Sequence, residues 1–101
     1  SESDWSLRAG LRIEHKKIDF IEAMGDYVKI ETAKRKYVVL MSMKKMLELL
    51  PDTTFFRSHK SYIINLQKVN NYTSNEIHLK NKTIPLSRFR SKEFKKLILS
   101  R

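Results

Sequence analysis

Arg57, His59 and Lys60 fall within four positions of the segment FFRSHKSYIIN. Such side chains bind phosphate as charged donors, and arginine or lysine also matches the O6 and N7 acceptors of guanine. Phe55 and Phe56 on one side, and Tyr62, Ile63 and Ile64 on the other, call for burial. A solvated strand would alternate more evenly, and a buried one would not carry three such groups. The segment therefore reads as a basic loop held between core anchors, either simply solvated or aimed rigidly at an anionic partner.

Two further basic runs accompany it. Residues 29–36, opening with Lys29, carry four positive charges against one negative, and residues 86–101 carry six against one. Each run alone would be a solvated face, but core-forming strands separate the three, so a small domain could gather them on one side. Neutralising phosphates releases condensed counterions, while sequence choice requires side chains that reach base edges. The whole chain shares the bias, with 21 basic and 11 acidic residues and a formal charge of +10. That balance points to a polyanion: nucleic acid, an acidic membrane surface or a polyanionic glycan.

Other chemistries have little support. His15, His59 and His78 lie in different segments, and Glu14 and Glu76 beside two of them complete no metal-ligand motif. No nucleophile elbow, P-loop or dinucleotide fingerprint occurs in a chain whose glycines are Gly10 and Gly25. Asp19 and Glu22 suit pairing with local lysines better than acid or base catalysis. Neither an enzyme nor a metal or other cofactor is expected. The absence of cysteine excludes disulfides and thiolate chemistry. No apolar run approaches the ~18 residues of a membrane span.

The elements that would position the basic residues are mostly short strands. Ile18 and Phe20 begin one, ended by the turn signal Gly25-Asp26. YVKIETA alternates with period two, KYVVLM is β-branched, and together they read as a hairpin across ETAKRK. Ser42 is a plausible N-cap for a helix whose stripe is Met43, Met46, Leu47 and Leu50, stopped at Pro51-Asp52. SYIIN and KVNNY read as strands or strand ends. EIHLKNKTIPL reads as a second hairpin with Ile77 and Leu79 facing Ile84 and Leu86, where Pro85 favours an edge. Ser87 is placed to cap a last helix striped with Phe94, Leu97 and Ile98. The result is one mainly β domain over 1–101, with one internal and one C-terminal helix. Residues 1–10 are expected to be a linker or an engineered remnant, because SESDWS lacks an initiator Met.

In this order and spacing, IEAMGDYVKIET, MSMKKMLELLP, FFRSHKSYIINLQKV and KTIPLSRF resemble the LytTR family of DNA-binding domains, the output modules of many bacterial response regulators. The resemblance spans about Ile18 to Leu99. It implies an elongated fold of small antiparallel sheets whose loops enter successive major grooves of duplex DNA and bend it. Carried over by position, it implies a first contact at Gly25, Asp26 and Tyr27, with Tyr27 as the reader. A second lies at Arg57 and Lys60, with His59 and Ser61 steadying the loop. A third lies at Ser87, Arg88, Phe89 and Arg90, where Phe89 stands in the place of an expected arginine. Lys29 joins these candidates. The alternative for Arg57 is architectural, bonded to loop carbonyls. The resemblance also implies an upstream receiver domain, a cytoplasmic regulator and tandem binding sites. Because strands and helices account for most apolar residues, the isolated domain is expected to be monomeric.

Two other readings share the composition. A small basic β domain could bind RNA by stacking unpaired bases on Tyr27, Tyr72 or Phe89. A protein-interaction module could turn its basic face to an acidic partner or membrane. With duplex DNA as partner and roughly five phosphates neutralised, log K should fall with log salt at a slope of about −4 to −5. Titrations across salt concentrations check this, and affinity nearly indifferent to salt would remove the electrostatic argument.

Overall fold

A computed structural model describes residues 5–8 and 11–100 of the chain. Strands β1 (Trp5–Arg8) and β2 (Leu11–Glu14) pair as an antiparallel ribbon. Strands β3 (Ile18–Met24), β4 (Tyr27–Thr32) and β5 (Lys36–Leu40) lead to helix α1 (Met43–Leu49). Then come β6 (Phe55–His59), β7 (Tyr62–Asn65), β8 (Asn71–Tyr72), β9 (Glu76–His78), β10 (Thr83–Pro85) and helix α2 (Arg88–Leu99). The order β5-β4-β3-β7-β6 forms a five-stranded antiparallel sheet, and β10-β9-β8 a three-stranded one. Overall extents are 37 × 31 × 24 Å. This is the mainly β arrangement, with one internal and one C-terminal helix, that the sequence implies. Of residues 1–10, taken above as linker, 5–8 form β1 and the rest lie outside the described residues.

The large sheet is buried on both faces at its centre. Successive side chains of a strand point to opposite faces, so Phe20 and Ile21 of β3 go opposite ways, as do Ile64 and Ile63 across from them in β7. Ile21, Val28, Ile30, Phe55 and Ile63 meet Met43 and Met46 of α1 and Leu50 just after it. Phe20, Phe56 and Ile64 meet the small sheet and α2 through Ile77, Ile84 and Phe94. The two helices lie on opposite sides of one sheet.

Several local expectations hold. Ser42 Oγ accepts from the Lys45 backbone N–H at 3.1 Å and caps α1. Ile77 pairs with Ile84 across the second hairpin, and Pro85 stands on edge strand β10. Gly25 takes φ +61 in the two-residue turn between the paired Met24 and Tyr27, a conformation open to glycine at no steric cost.

Three expectations need correction. FFRSH is strand β6 rather than a loop, and the turn is confined to Lys60 and Ser61. A register shift between Phe56 and His59 breaks the even alternation that a strand would show. Ser87 occupies the N-cap position of α2, but its side chain makes no capping bond. Apolar residues are not all accounted for: on β5, Val38 and Leu40 are 59% and 62% exposed, because the small sheet and α2 pack over β6 and β7 and leave the outer face of β4 and β5 uncovered.

Asn65 is fully buried where β7 ends. Its Nδ2 donates to the Ile18 carbonyl at 2.8 Å, and its Oδ1 accepts from the Gln67 N–H at 2.9 Å. Ser58 is equally buried, but its hydroxyl finds no partner among the described residues. Asn65→Ala should therefore cost about 2–3 kcal/mol, since it orphans the buried Ile18 carbonyl and the part-buried Gln67 N–H. Ser58→Ala should be neutral or slightly stabilising because it removes an unsatisfied hydroxyl. Urea unfolding midpoints of the two variants measure the contrast.

Candidate nucleic-acid interface

Pairing registers decide which loops meet. The β3–β4 turn follows Met24 paired with Tyr27. Beside it, the Ala23 N–H donates to the Ser61 carbonyl at 2.8 Å, so the β6–β7 turn leaves the sheet at the same end. The Ser87 N–H donates to the Ser58 carbonyl at 2.7 Å, which brings the start of α2 against β6. Gly25–Tyr27, Lys60–Ser61 and Ser87–Arg90 thus form a row across one end of the sheet. Adjacent strands lie about 5 Å apart, so the two turns are separated by roughly 10 Å.

Within the row, the basic groups divide into tethered and free. Arg57 is half-buried, and its guanidinium Nη2 donates to the Lys60 carbonyl at 2.6 Å. This bond to a loop carbonyl is the contact that the architectural alternative describes. The His59 Nδ1 accepts from the Ser61 N–H at 3.2 Å, and its ring meets Tyr62 edge-on, so His59 steadies the same turn. Lys60 and Arg88 are exposed, and neither they nor Arg90 form an ion pair among the described residues. His59, Lys60, Ser87, Phe89, Arg90 and Glu93 line an open groove of about 570 Å³ between turn and helix. The Phe89 ring is 95% exposed. Glu93 was not among the sequence candidates; its position four residues after Phe89, on the same helix face, was the available signal.

The run at 29–36 does not join the row. Strand β4 carries the chain roughly 20 Å from the Gly25 turn, at about 3.3 Å per residue. Lys34 and Arg35 therefore lie at the opposite end, lining a hollow with Lys17 and Lys68. Lys29 sits mid-strand, 3.2 Å from Glu31 and 3.3 Å from Glu22. Glu31 first, then Glu22, raise its pKa and keep it protonated. Glu22 also accepts from the Tyr62 hydroxyl at 3.2 Å. Tyr62 titrates above its ordinary range because burial, and then the Glu22 charge, oppose its ionisation. Tyr72 is half-buried with its ring edge-on to Phe94, 5.1 Å between centroids, which leaves Tyr27 and Phe89 as the exposed aromatics of the candidate set.

Comparison with known proteins bears on this row of loops. Residues 10–99 match the sequence model of the LytTr DNA-binding domain. The chain belongs to the LytTr DNA-binding domain family. It is 29% identical over 92 residues to the sensory transduction protein LytT of Bacillus subtilis, covering 85% of this chain and 38% of that protein. It is 31% identical over 88 residues to the transcriptional regulatory protein YpdB of Escherichia coli K12, covering 80% of this chain and 36% of YpdB. The chain thus spans a little over a third of the length of these relatives. The LytTr DNA-binding domain of a putative methyl-accepting/DNA response regulator from Bacillus cereus superposes with a TM-score of 0.77 at 21% identity, over 93% of both chains. That likeness establishes the fold. Among the described residues, no helix is long and apolar enough to cross a membrane, and no group of acidic or histidine side chains could hold a metal ion.

Arg57 thus bonds to the turn that presents Lys60. Arg57→Ala should destabilise the domain by about 1–2 kcal/mol, since a partly exposed charged donor is worth less than a buried one. Amide exchange at Ser61 should accelerate more than exchange in β3. Hydrogen exchange followed by NMR reads both, and unchanged protection at Ser61 would remove the bracing role.

Proposed function

We propose that this LytTr domain is the output module of a bacterial transcription regulator and binds double-stranded DNA sequence-specifically through the row of loops at one end of its large sheet. The observation that carries this reading is the convergence of three separated motifs, Gly25-Asp26-Tyr27, Lys60 and Ser87–Arg90, on one edge where Lys60, Arg88 and Arg90 form no ion pair among the described residues. Backbone N–H groups at the uncapped start of α2, with no acidic residue in its first turn, suit a phosphate oxygen. Tyr27 and Arg88 flank the central turn and supply the candidates for base edges. Lys60, a flexible point charge, suits the phosphate backbone. Lys29, neutralised within the sheet, and Arg57, bonded into the turn, act as supports in this reading.

The segment that matches this chain is 38% of LytT and 36% of YpdB, and the remaining length of such a regulator would hold a receiver that responds to a signal in the cytoplasm. The names of the relatives, a sensory transduction protein and a transcriptional regulatory protein, support that assignment. Dimerisation through such a receiver would let two domains occupy tandem sites, raising avidity by ~10² or more without a new DNA contact.

The test is titration of one selected duplex by three variants. Lys60→Ala and Arg88→Ala should each lose about 1–3 kcal/mol of binding if the side chain touches DNA. Lys34→Ala, which removes the same charge at the opposite end of the sheet, should lose much less. Equal losses would mean a diffuse basic field, and tighter binding to single strands than to duplex would favour the RNA-type reading.

A further inference from the structure

We propose that Phe89 determines sequence preference by packing on the 5-methyl group of a thymine in the major groove. This rests on the reading that the start of α2 meets duplex DNA. Helix α2 buries Phe94 and half-buries Leu97 and Ile98. Phe89, five residues before Phe94, is turned about 140° away from that stripe at 100° per residue. Its ring is 95% exposed, the most exposed of the large apolar side chains described. A ring left in water contributes nothing to the core, and α2 gains no packing from it. Nor does it belong with the exposed Val38 and Leu40 of β5, because it borders a groove with Lys60, Ser87 and Arg90.

The chemistry of that groove selects its occupant. Its rim is cationic through Lys60 and Arg90, but Phe89 and Glu93 lie on one face of the helix, four residues apart. A phosphate would be repelled by the Glu93 carboxylate and gain nothing from the Phe89 ring. A base edge fits both: the thymine methyl is the apolar feature of the major groove, and exocyclic amines of cytosine or adenine are donors for a carboxylate. The cations would hold flanking phosphates while the ring meets the base. Phe89 thus supplies an apolar contact where an arginine would have read guanine, so the preferred site carries thymine at that step.

The experiment starts by selecting duplexes from a random library with the wild-type chain. Each thymine of the best duplex is then replaced singly by deoxyuridine, which removes only the methyl group. One replacement should weaken wild-type binding about fourfold, the worth of one methyl-sized apolar group. The same replacement should cost Phe89→Ser nothing, while Lys60→Ala should retain the fourfold penalty despite its weaker overall binding. Because Phe89 is exposed, Phe89→Ser should fold normally by circular dichroism. A thymine penalty that persists in Phe89→Ser would overturn the proposal, and so would the absence of any such thymine. Altered sedimentation of free Phe89→Ser with an unchanged deoxyuridine pattern would make the ring a contact between copies and overturn it too. Failure to enrich any duplex would instead bring down the DNA reading on which the proposal stands.

Discussion

Everything in this domain depends on β3 and β7 being buried on both faces. Phe20 and Ile64 must face the small sheet while Ile21 and Ile63 face α1. A slip of one residue would exchange the two sets. Ile21, Ile63 and Ile64 are fully buried, and each buried aliphatic side chain contributes about 1.5–3 kcal/mol, so the register has strong support. Asn65 adds a polar lock at the strand end by satisfying the Ile18 carbonyl across the sheet. That register is also what puts the β3–β4 and β6–β7 turns side by side.

The loops themselves are held by backbone geometry more than by side-chain charge. The Ser58 carbonyl receives the Ser87 N–H, and the Ser61 carbonyl receives the Ala23 N–H. These bonds tether three sequence-distant segments to one frame without engaging Lys60 or Arg88. Ser58 fits because its position on β6 is fully buried, where a larger side chain would collide with its surroundings. Arg57 and His59 close the turn from within. A basic motif can thus divide its labour, some cations ordering the backbone and one projecting from it. Pre-ordering of this kind lowers the entropy lost when a ligand binds.

Charge is sorted in the same way. Lys29, surrounded by Glu22 and Glu31, lies on a strand face, and Lys16 and Lys17 meet Glu14 near the opposite end of the sheet. Asp26 and Glu93 are the acidic members of the row of loops itself.

The sequence by itself determined the elements whose causes are local. Alternation placed β3, β4 and β5, Ser42 and the Met43-Met46-Leu50 stripe placed α1, and Gly25 placed a tight turn, because period, capping and positive φ act between near neighbours. Motif order also identified the family. Tertiary structure alone decided which basic runs converge. Lys34 and Arg35 were as cationic in the sequence as Arg88 and Arg90, but the length of β4 carries them to the far end. It also decided that Arg57 turns inward to a carbonyl, that Val38 and Leu40 remain uncovered, and that Phe89 stands in solvent. The placing of the basic runs and the bare face of β5 depend on strand order and on contacts between residues tens of positions apart, as in the pairing of Ala23 with Ser61, whereas the Arg57 bond to the Lys60 carbonyl spans only three positions.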